Sequence, residues 1–94
     1  MVVFTYTQVD TVLGKLTNGR KLVMTEVTIT SGGLDLTTVT VKPLKRIVQW
    51  TLGLAKPATD TFVTAAHASQ LNGISITPSG DATNDILQIF SVGE

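Results

Sequence analysis

Ninety-four residues with zero formal net charge, 43% hydrophobic and 15% charged side chains exclude a disordered chain, which needs few apolar residues and a large charge imbalance. The length suits one small domain spanning 1–94. The absence of cysteine removes disulfides, thiolate nucleophiles and thiolate metal sites.

Threonine, valine and isoleucine make up 33 of the 94 residues, against six alanines and two glutamates. Branched side chains lose rotamer freedom on a helix and fit a pleated surface. The composition therefore predicts an all-β fold, a β-sandwich or partly closed antiparallel barrel of about seven or eight short strands. No apolar run reaches the roughly 20 residues of a helical membrane span. A core this small barely offsets chain entropy, so with no disulfide staple a partner subunit is the expected further source of stability.

In chain order, Val2 to Gln8 alternates Val2/Phe4/Tyr6 against Val3/Thr5/Thr7 and predicts a strand; with no basic residue before Lys15, it reads as strand rather than signal peptide. None of Asn18, Asn72 or Asn84 begins a glycosylation sequon, so cytoplasmic synthesis is the default expectation. A second short segment, Val12 to Leu16, leads to Asn18-Gly19, whose tolerance of positive φ predicts a type I′ hairpin turn. Lys21 to Thr30 follows as a strand with Val23, Val27 and Ile29 on one face and Leu22 and Met24 on the other. Ser31-Gly32-Gly33 is a predicted turn.

Leu34 to Val41 switches its apolar phase, Leu34/Leu36 against Val39/Val41, which predicts a bulge or a crossing between sheets. Pro43 breaks the ladder. Leu44 to Ala55 reads as the central strand, with Val48, Trp50, Leu52 and Leu54 facing the core and Ile47, Gln49 and Thr51 facing away. Thr61 to Asn72 is ambiguous between a helical turn or loop and a short strand, because Phe62, Ala65, Ala66, Ala68 and Leu71 fall near helical spacing. Gly73 to Thr77 is a strand, Pro78 to Asp81 a turn, and Ile86 to Val92 a strand with apolar side chains on both faces, which cannot be a solvated edge.

Chemistry-bearing residues are sparse. His67 is the only histidine, and metal or nucleophilic sites are clusters; the expectation is no catalytic, metal or cofactor site and no enzyme. Calcium from Asp81, Asn84 and Asp85 lacks the EF-hand pattern. Arg20/Lys21 and Lys42/Lys45/Arg46 form basic clusters, but 5% aromatics is too few for a base-stacking platform, so no nucleic-acid partner is expected. All seven bases and three acids lie in residues 1–56, giving +4; residues 57–94 hold four acids, giving −4. Whether this becomes a surface dipole depends on how the strands interleave.

The layout of the whole chain resembles small cysteine-free all-β proteins of tailed-bacteriophage virions, notably capsid decoration or cement proteins. The features are, in order, the hairpin from Gly14-Lys15 to Asn18-Gly19-Arg20-Lys21, the strand Val23-Met24-Thr25-Glu26-Val27-Thr28-Ile29, the turn Ser31-Gly32-Gly33-Leu34-Asp35-Leu36, the strand Leu44-Lys45-Arg46-Ile47-Val48 and a short apolar terminal strand. The resemblance implies a viral structural protein located in the virion. Its partner would be the major capsid protein or another virion protein, and it would act as a homo-oligomer, most simply a trimer at a local three-fold axis. It carries over no site residue. The alternative reading is a carbohydrate- or receptor-binding β-sandwich module, which needs exposed aromatics; Tyr6, Trp50 and Phe62 discriminate, exposed together for sugar binding and buried for scaffolding.

Overall fold

A computed structural model describes residues 3–56, 63–80 and 83–94. Seven strands lie among them: β1 (Thr5–Lys15), β2 (Lys21–Ser31), β3 (Thr37–Thr40), β4 (Ile47–Lys56), β5 (Val63–His67), β6 (Gly73–Pro78) and β7 (Ile86–Gly93). The fold is all-β, with two antiparallel sheets and no closed barrel, ordered β1-β2-β7-β4 and β3-β6-β5.

The period-two pattern places the core. Residues directly opposite on antiparallel strands share a face, and in β2 the buried residues are Val23, Thr25, Val27 and Ile29. Their partners in β7 are Ser91, Ile89 and Leu87, all buried. The smaller sheet contributes Val39, Ile74 and Ile76 to the same apolar cluster, completed by Phe4, Val41, Leu44 and Ile47. The result is a small sandwich-like arrangement in which each buried valine or isoleucine contributes about 1.5–3 kcal/mol relative to an exposed one.

Several elements differ from expectation. The first two predicted segments are one eleven-residue strand, β1, antiparallel to β2. Asn18-Gly19 does form the hairpin turn, but only Gly19 has positive φ, at 81°, whereas type I′ requires it at both residues. Gly19 N–H donates to the Leu16 carbonyl (3.1 Å) and Leu16 N–H to the Arg20 carbonyl (2.6 Å). This is a three-residue loop closed by a left-handed glycine.

The predicted central strand is an edge. Among the described strands β4 pairs with β7 alone, and its register slips between Ile47 and Gln49. The bulge puts Val48 out to solvent and turns Ile47 inward, while Trp50 and Leu52 pack half-buried on the core. β7 takes the interior position between β2 and β4, with Leu87 and Ile89 buried on its core face and Phe90 exposed on the other. In the ambiguous segment, β5 covers Val63–His67 and is paired with β6, so ladder pairing overrides the helical spacing of the alanines; Phe62 lies outside the described residues. Pro78, expected in a turn, is the buried last residue of β6. β3 begins only at Thr37, leaving Leu34 and Leu36 exposed before it and Val39 buried within it, which accounts for the phase switch.

The loops are fixed by backbone bonds rather than by side-chain bulk. Asn84 adopts φ 72°, a left-handed conformation that asparagine tolerates. Its N–H donates to the Ile29 carbonyl (2.8 Å), and Ile29 N–H donates to the Asp85 carbonyl (3.0 Å). Gly32 N–H donates to Thr83 Oγ1 (2.8 Å), joining the β2–β3 and β6–β7 connections.

Candidate interaction surface

β1 is the structure's most exposed long element. It forms one edge of the four-stranded sheet, and no described strand pairs with its outer side beyond an isolated bridge of Val3 with Asp35. From Thr11 to Gly19 every residue is exposed. Large apolar side chains lie along it: Val9 is 62% exposed and Leu13 49%, with Val12 and Leu16 similarly open. An open edge presents unpaired N–H and C=O groups and, left apolar, is a template for another strand.

The inner face of β1 is tied down by polar contacts. Gln8 Nε2 donates to the Thr40 carbonyl (2.6 Å) on β3 and to both Asp10 carboxylate oxygens (3.1 Å). The buried Thr25 hydroxyl donates to Asp10 Oδ1 (2.6 Å). This network bridges the sheets, so strand position is set from within while the outer side stays open.

The strand register also gathers charge. Lys15 lies opposite Lys21, Lys21 opposite Gly93, and Gly93 opposite Ile47. Arg20 precedes Lys21, and Lys45 and Arg46 precede Ile47, with both their N–H groups donating to the Glu94 carbonyl (2.6 and 3.3 Å). Lys42 joins the same end, because Val41 N–H donates to the Asn72 carbonyl (2.8 Å) and Ile47 N–H to the Leu71 carbonyl (2.9 Å). Six of the seven basic residues thus occupy one end of the molecule. Glu94 is the acid there among the described residues, held by Arg46 at 2.7 Å with both side chains half exposed. The seventh, Lys56, falls opposite Ile86 at the other end of β7.

The discriminating aromatics do not meet. Tyr6 and Trp50 belong to β1 and β4, the two opposite edges of the sheet, about 14 Å apart across it at the usual strand spacing, and they register with Ile29 and, through Ser91, with Val23, well apart along β2. Both are half-buried against the core, and the Tyr6 ring packs on Phe4 with centroids 5.6 Å apart. Burial raises the Tyr6 phenol above its ordinary value of 10.0. Phe62 lies outside the described residues.

His67 is exposed, with Nδ1 2.7 Å from the Ala68 carbonyl. Among the described residues no three histidine, cysteine or acidic side chains gather as a metal-binding group. Of the suggested calcium donors, Asp81 lies outside the described residues and Asp85 is buried at the base of β7. Two shallow depressions flank the sheets: one of about 240 Å³ beside Trp50, Phe90 and Val92, and one of about 150 Å³ beside Leu36, Ala66 and Ser75. Both are smaller than the roughly 300–1,000 Å³ of small-molecule sites.

No protein-family model, curated protein or solved structure matches the chain. The exposed strand and the basic end were only partly legible in sequence. The two basic clusters are visible as Arg20/Lys21 and Lys42/Lys45/Arg46, but their convergence depends on register, which period-two patterning does not supply.

Proposed function

We propose that this chain is a non-catalytic structural protein of a virion, a decoration or cement protein that binds a capsid lattice and stabilises it by bridging subunits. The observation carrying the proposal is the open edge of β1, along which Val9, Val12 and Leu13 stand exposed on the two faces of the strand, with Leu16 exposed in the hairpin loop beyond it. Two register irregularities, at Thr5/Tyr6 and Val12/Gly14, and the inward-facing Asp10 limit how far another strand can pair along this edge, yet apolar side chains stay exposed from Val9 to Leu13, and we read that stretch as a surface completed by a neighbour. The layout resemblance supplies the kind of neighbour, a capsid lattice. Many copies around shell symmetry axes then convert modest contacts into high avidity.

The separation of Tyr6 and Trp50 supports a scaffold over a sugar platform, since neither side chain lies flat on an open face with the other. The test is cosedimentation of the purified protein with empty shells assembled from the major capsid protein of the same virion. Saturable binding at a fixed ratio per capsid subunit is the expected result. Failure to bind such shells, with turnover of a small substrate by the isolated chain, overturns the proposal.

A further inference from the structure

We infer that the open edge of β1 receives an extended, acidic strand from the partner protein, recognised by backbone pairing and by the cations gathered at the hairpin end. This inference rests on the lattice-binding reading and names the chemistry of the contact.

Three observations converge on it. Backbone pairing groups are available along the outer side of β1 up to the irregularity at Val12/Gly14, and an added strand would meet Val9 in regular register and Leu13 at that irregularity; this is how strand addition combines affinity from the main chain with specificity from side chains. The far end of that edge runs into an excess of positive charge: Lys15 and Lys21 are paired opposite each other, with Arg20 beside them and Lys42, Lys45 and Arg46 across the same end, where Glu94 pairs with Arg46. Like charges directly opposite destabilise a sheet, so the Lys15–Lys21 pair is a cost within the isolated chain that a carboxylate from outside relieves. The chain as a whole is neutral, which makes the local excess a matter of placement and not of bulk composition.

Nucleic acid is the competing polyanion, and the surface favours protein. The cations are interspersed with exposed Val12, Leu13, Leu16 and Leu71; Trp50 and Phe90 border a depression with Leu22 and Val92 on the β4 side of this end, and residues 9–20, which form the β1 edge and its turn, hold no aromatic to stack a base. Protein–nucleic acid interfaces are dominated by polar phosphate contacts, whereas apolar centres rimmed by charge are typical of protein partners. Because complementary charge steers encounter and fixes register, carboxylates belong on the partner strand near Lys15 and Arg20, and apolar residues belong alongside Val9 to Leu13.

The experiment follows backbone amide chemical shifts of the intact protein during titration with a blocked hexapeptide alternating glutamate and valine. Parallel titrations use the same peptide with lysine for glutamate, and a short DNA duplex. The expected result is perturbation confined to β1 and the 16–20 turn by the acidic peptide alone, weakened at least about tenfold as salt is raised to about 1 M, where the Debye length falls to about 3 Å. The K15E/K21E double variant should lose this binding while keeping its far-ultraviolet circular dichroism. Equal binding of the lysine peptide, or perturbation mapping away from β1, overturns the inference, as does tighter binding of the duplex. If no peptide binds but the protein still cosediments with shells, the acidic-strand contact is wrong and the lattice reading survives. Peptide binding without shell binding has the opposite meaning.

Discussion

Gly93 sits against the backbone of Arg46: a methyl group in the position of its Cβ would overlap the Arg46 carbonyl oxygen and stand 3.1 Å from the Ile47 Cα. Around this contact Glu94 N–H donates to the Arg46 carbonyl (3.0 Å), and Lys45 and Arg46 return two bonds to the Glu94 carbonyl. The end of β7 is thereby locked to the start of β4. G93A forces these backbones apart and should cost about 3 kcal/mol, at the upper end of overpacking penalties because backbone rather than a flexible side chain must move. Denaturant unfolding checks this; a midpoint equal to wild type would show that the contact is loose.

Asn72 holds the crossover between the sheets. Its Nδ2 donates to the Leu44 carbonyl at 2.8 Å and lies 3.5 Å from the Val41 carbonyl, while its own carbonyl accepts from Val41 N–H. N72A leaves the Leu44 carbonyl without this donor next to a buried leucine, and a destabilisation of about 1–3 kcal/mol is expected in urea unfolding.

Ser91 makes the opposite prediction. It is fully buried between Val23 and Trp50 in the sheet register, and its Oγ has no hydrogen-bond partner among the described residues. Removing a buried hydroxyl that forms no bond relieves desolvation at almost no cost in volume. S91A should therefore be neutral or stabilising by up to about 1 kcal/mol, read as an upward shift in melting temperature. A loss larger than 1 kcal/mol would mean that the hydroxyl is bonded.

Tyr6, the only tyrosine, offers a pH probe. Burial raises its folded-state pKa above 10.0, so the unfolded chain ionises first as the pH rises. The stability linked to it is complete below the unfolded value of about 10 and is lost as the pH climbs through the higher folded value. Absorbance titration of the native protein should place the phenolate transition above that of the unfolded chain. Y6F should remove the corresponding alkaline fall in stability. A native titration midpoint at or below 10 would contradict the burial.

These features were unequally visible beforehand. β7 reads as an interior strand because Ile86, Phe90 and Val92 oppose Leu87 and Ile89, and it does lie between β2 and β4, although only the Leu87/Ile89 face enters the core and Phe90 on the other face is exposed. β4 misled because Val48, Trp50 and Leu52 alternate cleanly, while the bulge that expels Val48 and draws in Ile47 depends on where β7 pairs, a relation between residues more than 40 apart in sequence. The alanines of β5 suited a helix locally, and only the ladder with β6 decides otherwise. Asn18-Gly19 fixed where the hairpin turns but not how, since a single left-handed residue followed by Arg20 serves as well as two. Among the described residues the two segments interleave, with β7 inserted between β2 and β4, Glu94 at the basic end and Asp85 just before the other end of β7, while Asp60 and Asp81 lie outside the described residues. What survives is a basic end.

The central claim is that the outer side of β1 is completed by another protein. Hydrogen exchange of backbone amides, compared for the free chain and the chain bound to empty shells, tests it most directly. The account predicts fast exchange for the outward-facing amides between Val9 and Leu13 in the free protein and strong protection of those amides on binding, with β6 and the centre of β7 slow in both states. Amides of β1 that exchange equally fast in the bound and free states would contradict it.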